Sequence, residues 1–161
     1  MINRVLIRLK LIQIVYAYYQ NGNKNLDAGE KELFFSMSKA YDLYNYLLML
    51  MVAVTRFAQK RIDAAKAKLA PTPEELNPNT KFADNQFAAQ LEVNKQLAEY
   101  ASNQKRTWND EEDCVKSLYE TIVASDIYKE YMESADHSYE ADRELWRKLY
   151  KTFIFNNEKL D

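Results

Sequence analysis

Apolar residues recur at three- and four-residue steps along most of the chain, which is the pattern of amphipathic helices. A first helix is predicted from about Asn3 to Gln20, followed by a turn rich in glycine and asparagine. The stripe of a second helix begins near Asp27 and continues to Ala65, with no proline before Pro71. A helix of roughly 43 residues is ~65 Å long, more than a compact domain of this size spans, so we expect it to kink or project.

The remaining chain predicts shorter helices separated by clear breaks. Three prolines within 69–80 predict a turn or hinge. A third helix is predicted over 83–105, forming a hairpin with the second half of helix two. Residues 109–112 have the spacing of a capping box and predict the start of a fourth helix, which breaks near Ser125. A last helix is predicted to begin at Ser138, whose hydroxyl can cap it.

Composition excludes most alternatives to a helical fold. The chain has only two glycines and three prolines in 161 residues, too few for the turns of a many-stranded sheet or for a glycine-rich phosphate loop. We therefore predict a single all-α domain over residues 1–161. It should be a helical bundle of about five to six helices with a hinge near 70–80.

Candidate chemistry is sparse. The chain has one histidine, His137, in a predicted loop, and one cysteine, Cys114, within a run of acidic residues that raises rather than lowers a thiol pKa. The acids at 110–113 are typical of a solvated helix start rather than a cation site. The sequence thus predicts a non-enzyme without a cofactor or metal. A single cysteine and no apolar run long enough to span a bilayer favour a cytoplasmic location.

Charge is unevenly distributed, although the whole chain is near neutral at −2. The first 26 residues contain no acid and carry Arg4, Arg8, Lys10 and Lys24, a net charge of +4, so the other 135 residues carry −6. Arg4 and Arg8 lie one helical turn apart. Guanidinium groups on a fixed helix can bind RNA phosphates. The competing interpretation is structural: such cations often lie at the edge of a core with their stems buried.

The first helix has two apolar faces. Such a helix expects neighbours on two sides, and we assign Tyr16 to the core on this basis. The first face consists of Ile2, Val5, Leu9, Ile12 and Tyr16, and the second of Ile7, Leu11 and Ile14.

This helix resembles the opening of the NusB family of transcription antitermination factors, which are all-helical RNA-binding proteins. The family's first helix carries an arginine-rich motif that ends in Gln-x-Leu-Tyr, and here the ending reads Gln13-Ile-Val-Tyr16. In that register Arg4 and Arg8 fall on motif arginines. The stretch is similar to Bacteroides-type members, and the family's C-terminal helices are not visible, so we expect an N-terminal portion of a longer protein.

The resemblance implies binding of single-stranded, boxA-like RNA together with a small-subunit ribosomal protein and the transcription elongation complex. It places the RNA contacts on Asn3, Arg4, Arg8, Lys10 and Gln13, and it leaves a homodimer open. The alternative is a non-catalytic helical protein-interaction module that forms the N-terminal extension of a longer NusB-like protein and does not bind RNA itself.

Overall fold

The computed structural model describes residues 4–22, 25–105 and 107–155, and within these ranges the chain is helical with no strand. The predicted all-α bundle with a long second helix is confirmed, with more and shorter helices than the five or six expected. The helices are α1 (Arg4–Gln20), α2 (Leu26–Lys66), α3 (Pro73–Leu76), α4 (Gln86–Glu92), α5 (Lys95–Ser102), α6 (Glu112–Ala124), α7 (Asp126–Glu133) and α8 (Tyr139–Leu149). A π-helical turn, Tyr150–Ile154, follows α8.

Internal contacts divide the chain into two units, Met1–Leu47 and Leu48–Asp161, and α2 contributes to both. In the first unit, α1 ends where predicted. Gly22 follows with φ +59°, a left-handed conformation that glycine adopts without strain. The carboxamide oxygen of Asn25 then accepts a hydrogen bond from the backbone N–H of Ala28 (3.2 Å), which satisfies a donor in the first turn of α2.

The second unit begins with the C-terminal part of α2. Its buried apolar residues recur at three- and four-residue steps: Met51 and Ala58 belong to the predicted apolar stripe, and Leu50 and Val54 lie beside it. The hydroxyl of Thr55 is also buried and donates to the carbonyl of Met51 (2.9 Å), so it enters the core without an unpaired donor.

The predicted break after α2 is confirmed, but it contains more structure than a simple hinge. A capping box begins α3: Thr72 accepts from the backbone N–H of Glu75 (3.2 Å), and the Glu75 carboxylate accepts from that of Thr72 (3.0 Å). Asn79 donates to the carbonyl of Met132 (3.1 Å), which fixes the end of the segment to a distant part of the chain.

Two predicted helix boundaries are wrong. The expected third helix over 83–105 is divided into α4 and α5, because Asn94 leaves helical geometry and caps the backbone N–H of Leu97 (3.1 Å). The expected capping box at 109–112 does not form either. Asp110 instead accepts from the backbone N–H of Thr107 (2.8 Å), and α6 starts at Glu112 without a side-chain cap.

The predicted break near Ser125 and the predicted cap at Ser138 are confirmed. Ser125 separates α6 from α7, and its hydroxyl accepts from the backbone N–H of Tyr128 (3.2 Å). Ser138 does the same for Ala141 at the start of α8 (3.2 Å). Each serine thereby satisfies one of the backbone donors that a helix start leaves without an intrahelical acceptor.

Aromatic rings occupy the centre of the second unit. The buried ring of Phe82 has its centroid 5.3 Å from that of Tyr128 and 5.7 Å from that of Trp146. Aliphatic side chains of α6 and α8 complete the core; those that are at most 4% exposed are Val115, Leu118, Ile122, Leu145 and Leu149. Burial of these side chains is the main stabilising contribution to the unit.

A buried polar network lies beside this core. The carboxylate of Asp142, 3% exposed, accepts from the Tyr131 hydroxyl (2.6 Å) and from the backbone N–H of Gln86 (2.8 Å). Asn85 is also buried: its carboxamide oxygen accepts from the indole N–H of Trp146 (3.2 Å) and the backbone N–H of Ala88 (3.0 Å). The network thereby ties the start of α4 to α7 and α8.

A buried ammonium group closes the end of α7. Lys81 Nζ donates to the carbonyls of Tyr131 and Ser134, each at 2.6 Å, and lies 4.4 Å from the centre of the Tyr131 ring. Cations are favourable at the carbonyl end of a helix, and the ring face adds a further attractive partner. The Lys81 charge is therefore buried with three partners.

We expect Asp142→Ala to lower the free energy of unfolding by about 2–3 kcal/mol, because it removes the acceptor of the Gln86 N–H and leaves the Tyr131 hydroxyl only the longer bond to the Lys81 carbonyl (3.3 Å). Denaturant unfolding measures the change. Glu140→Ala is the matched control, since it removes from the same helix an exposed acid that pairs with the exposed Arg143 (2.8 Å) and should cost no more than about 0.5 kcal/mol. Equal losses in the two variants would contradict the network's role.

Stability should also fall at alkaline pH. Burial, reinforced by the neighbouring Tyr119 hydroxyl, raises the pKa of Tyr128 to about 12, whereas an unfolded tyrosine ionises near pH ~10. Between these values the unfolded chain loses a proton that the folded chain keeps, so the free energy of unfolding decreases as pH rises. Denaturant unfolding at pH 9 and pH 11 should show this decrease, and Tyr128→Phe should make it smaller. An unchanged decrease in Tyr128→Phe would exclude this tyrosine as a source.

Candidate nucleic-acid interface

The first helix is covered on one side only. None of its described residues is buried, and its half-buried positions all lie within one side of the helix. Those positions are Leu6, Ile7, Lys10, Ile14, Ala17 and Tyr18. On that side Gly29 of α2 lies against Tyr18, where an added Cβ would be 3.7 Å from the ring. The opposite side of α1 is exposed along its whole length.

Arg4 and Arg8 lie on the exposed side, one helical turn and ~6 Å apart along the axis. Among the described residues neither guanidinium forms an ion pair, and α1 itself contains no acid. Both groups are therefore available to an anionic ligand, and each can bind a phosphate through two parallel hydrogen bonds.

The other predicted contacts do not converge with the arginines. Lys10 is half-buried and lies roughly 160° around the axis from Arg8. Gln13 is exposed but is roughly 140° from Arg8, on the far flank of the helix. Asn3 lies outside the described residues. The structure thus brings together two of the five predicted residues, Arg4 and Arg8.

The assignment of Tyr16 to the core is wrong. Its side chain is 65% exposed, and its hydroxyl accepts from the carboxamide of Gln20 (2.9 Å) on the same helix. The physical reason is that α1 has two apolar faces and that within its own unit only the Ile7–Ile14 side is even half covered. Tyr19 is still more open at 86% exposed and was not singled out from the sequence.

Three apolar side chains lie next to the arginines on the exposed side of α1. Val5, Leu9 and Ile12 are 60%, 53% and 65% exposed. Together with Tyr16 they form an apolar strip along α1, flanked on one side by Arg4 and Arg8. Cations beside exposed aromatic and aliphatic groups are typical of surfaces that bind unstacked nucleic acid or another protein.

The second unit contains a separate cavity of about 490 Å³ between the C-terminal part of α2, α4, α5 and the start of α6. Its walls are mostly apolar, including Phe57, Leu97 and Trp108. Arg56 lies at its rim and is bound to Glu92 (Nε to Oε1 2.9 Å). The lining has neither a histidine nor a cysteine, so it offers no thiol or imidazole for nucleophilic catalysis.

The remaining candidates for chemistry are dispersed. His137 is exposed in the loop before α8, where its carbonyl accepts from the Gln86 carboxamide (2.8 Å). Across residues 4–22, 25–105 and 107–155 no three His, Cys, Asp or Glu side chains come together as metal ligands. No described helix has the length and apolar character needed to cross a bilayer.

Comparison with protein-family models, with curated proteins and with solved structures gives no match to this chain.

Exposure of Tyr16 predicts that Tyr16→Ala leaves stability within about 0.5 kcal/mol of the parent, since little packing is lost. Tyr131→Ala is the comparison, because Tyr131 is 8% exposed and its loss should cost about 3–5 kcal/mol through the cavity left behind. Thermal and denaturant unfolding measure both. A large loss in Tyr16→Ala would show that its ring is covered in solution.

Proposed function

We propose that this chain is a non-catalytic, NusB-like factor that binds single-stranded RNA in transcription antitermination. The observation that carries the proposal is the exposed side of α1, where Arg4 and Arg8 have no acidic partner among the described residues and two exposed tyrosines follow further along the helix. Phosphate binding by the arginines and base stacking on the tyrosines are the two contributions that single-strand recognition requires.

The proposed binding path runs along the helix. Arg4 and Arg8 hold phosphates near the start of α1, and Tyr19 offers a ring ~16 Å further along the axis from Arg8. Tyr16 lies beside this path, on the apolar strip. Lys10 and Gln13 face elsewhere and are not included in the contact surface, which differs from the set that the family resemblance implies.

Charge supports a second contact in the same assembly. The chain beyond residue 26 carries a net charge of −6, which suits a basic protein such as the small-subunit ribosomal partner that the resemblance implies. Function in this scheme is assembly of an RNA–protein complex, and no bond is made or broken.

The alternative is a helical protein-interaction module without RNA binding of its own. The observation that favours it is the apolar strip on α1, because exposed aliphatic side chains such as Ile12 contribute more to a protein interface than to a phosphate contact. The two proposals make opposite predictions for the arginines.

We expect Arg8→Ala to weaken binding to a short A/U-rich single-stranded RNA about fivefold to tenfold, and to reduce the dependence of log K on log salt by about 0.7. Fluorescence anisotropy at two salt concentrations measures both quantities, with and without the ribosomal protein. The matched control is Lys31→Ala, which removes an exposed cation from α2 and should change affinity less than twofold. Equal effects of the two variants, or no binding by the parent chain, would favour the alternative.

A further inference from the structure

The first unit consists of α1 and the start of α2, joined by a turn and called the hairpin below, and it exposes much apolar surface. Among the described residues, thirteen large apolar or aromatic side chains in 4–47 are at least 46% exposed, against four in 48–155. Seven lie on α1 and six on the start of α2: Val5, Leu9, Leu11, Ile12, Val15, Tyr16, Tyr19, Leu26, Phe34, Phe35, Tyr41, Leu43 and Tyr44.

The area involved is that of a protein interface. The thirteen side chains lie around both helices, and those of the α1 strip together with Phe34 and Tyr41 on one side of α2 present on the order of 700 Å². A typical monomer exposes a largest apolar patch of ~300–600 Å², and a standard interface buries ~800 Å² of each partner. The exposed apolar sides of α1 and α2 therefore have enough area for a stable protein–protein contact.

The two helices of the hairpin carry opposite charge. All charged residues of α1 are cationic: Arg4, Arg8 and Lys10. Over residues 26–47 of α2, four carboxylates outnumber two lysines, and one of these lysines, Lys39, is already paired with Asp42 (3.4 Å). A two-fold axis that places α1 of one copy on α2 of another joins unlike charges at both contacts.

We propose that the first unit self-associates, two copies pairing their hairpins into a four-helix bundle. The apolar strip of α1 and the side of α2 that carries Phe34 and Tyr41 become its core. This arrangement gives each helix the second apolar neighbour that its own hairpin does not provide. The proposal concerns a second copy of this chain and does not rest on the proposed RNA binding; because the dimer covers Tyr16, it would compete with stacking of a base on that ring.

Sedimentation velocity of the purified chain without RNA, over a range of concentrations, tests the proposal. The parent should show a monomer–dimer equilibrium. Ile12→Lys should weaken the dimer at least about tenfold, because the ammonium would be buried in an apolar contact. Gln13→Lys is the matched control: it adds the same charge at the next exposed position, roughly 100° away, and should change the dimer constant less than threefold.

A second pair of variants tests the contribution of α2. Phe34→Lys should weaken the dimer to a similar extent, whereas Leu43→Lys, at a position that is 54% exposed and roughly 180° around α2 from Phe34, should have a smaller effect. Circular dichroism checks that helix content is kept in all four variants. A chain that is monomeric at every concentration, or a dimer that survives both Ile12→Lys and Phe34→Lys, would overturn the proposal; the latter result would place the contact elsewhere.

Discussion

The second unit depends on the buried carboxylate of Asp142. Its two donors come from different parts of the chain, the Tyr131 hydroxyl on α7 (2.6 Å) and the backbone N–H of Gln86 at the start of α4 (2.8 Å). A buried charge is tolerated only when its partners are in place. The carboxylate therefore favours one relative position of α4, α7 and α8, while the surrounding apolar core would accept several similar ones.

Neighbouring polar groups extend this constraint. Asn85 joins the indole of Trp146 to the first turn of α4, and Lys81 binds the carbonyls that end α7. No buried side-chain nitrogen or oxygen among the described residues lacks a hydrogen-bond partner. A network that is satisfied internally serves to position helices.

The sequence predicts some helix boundaries of the second unit but not its buried polar network. Ser125 and Ser138 were identifiable as helix boundaries because a hydroxyl cap acts within three residues and needs no distant partner. Asn94 fits the stripe of the helix predicted over 83–105, and its role as a boundary is not evident from the sequence because an asparagine can either continue a helix or cap the next one. The network of Lys81, Asn85 and Asp142 was not predicted, because its hydrogen bonds join residues about 50 positions apart and no local pattern marks them.

The first unit shows what periodicity leaves undetermined. The spacing of Val5, Leu9, Ile12 and Tyr16 correctly indicates one apolar face, but it does not say what covers that face, and within its own unit the face is open. The spacing also places Lys10 away from Arg4 and Arg8, but it does not show that Lys10 lies on the half-buried side of α1 while the arginines are exposed. Side chains of the second unit are buried because its helices contact several others, whereas side chains of α1 are exposed because only one side of that helix is covered. The helix with one covered side retains both an apolar strip and a basic edge for partners outside its own unit.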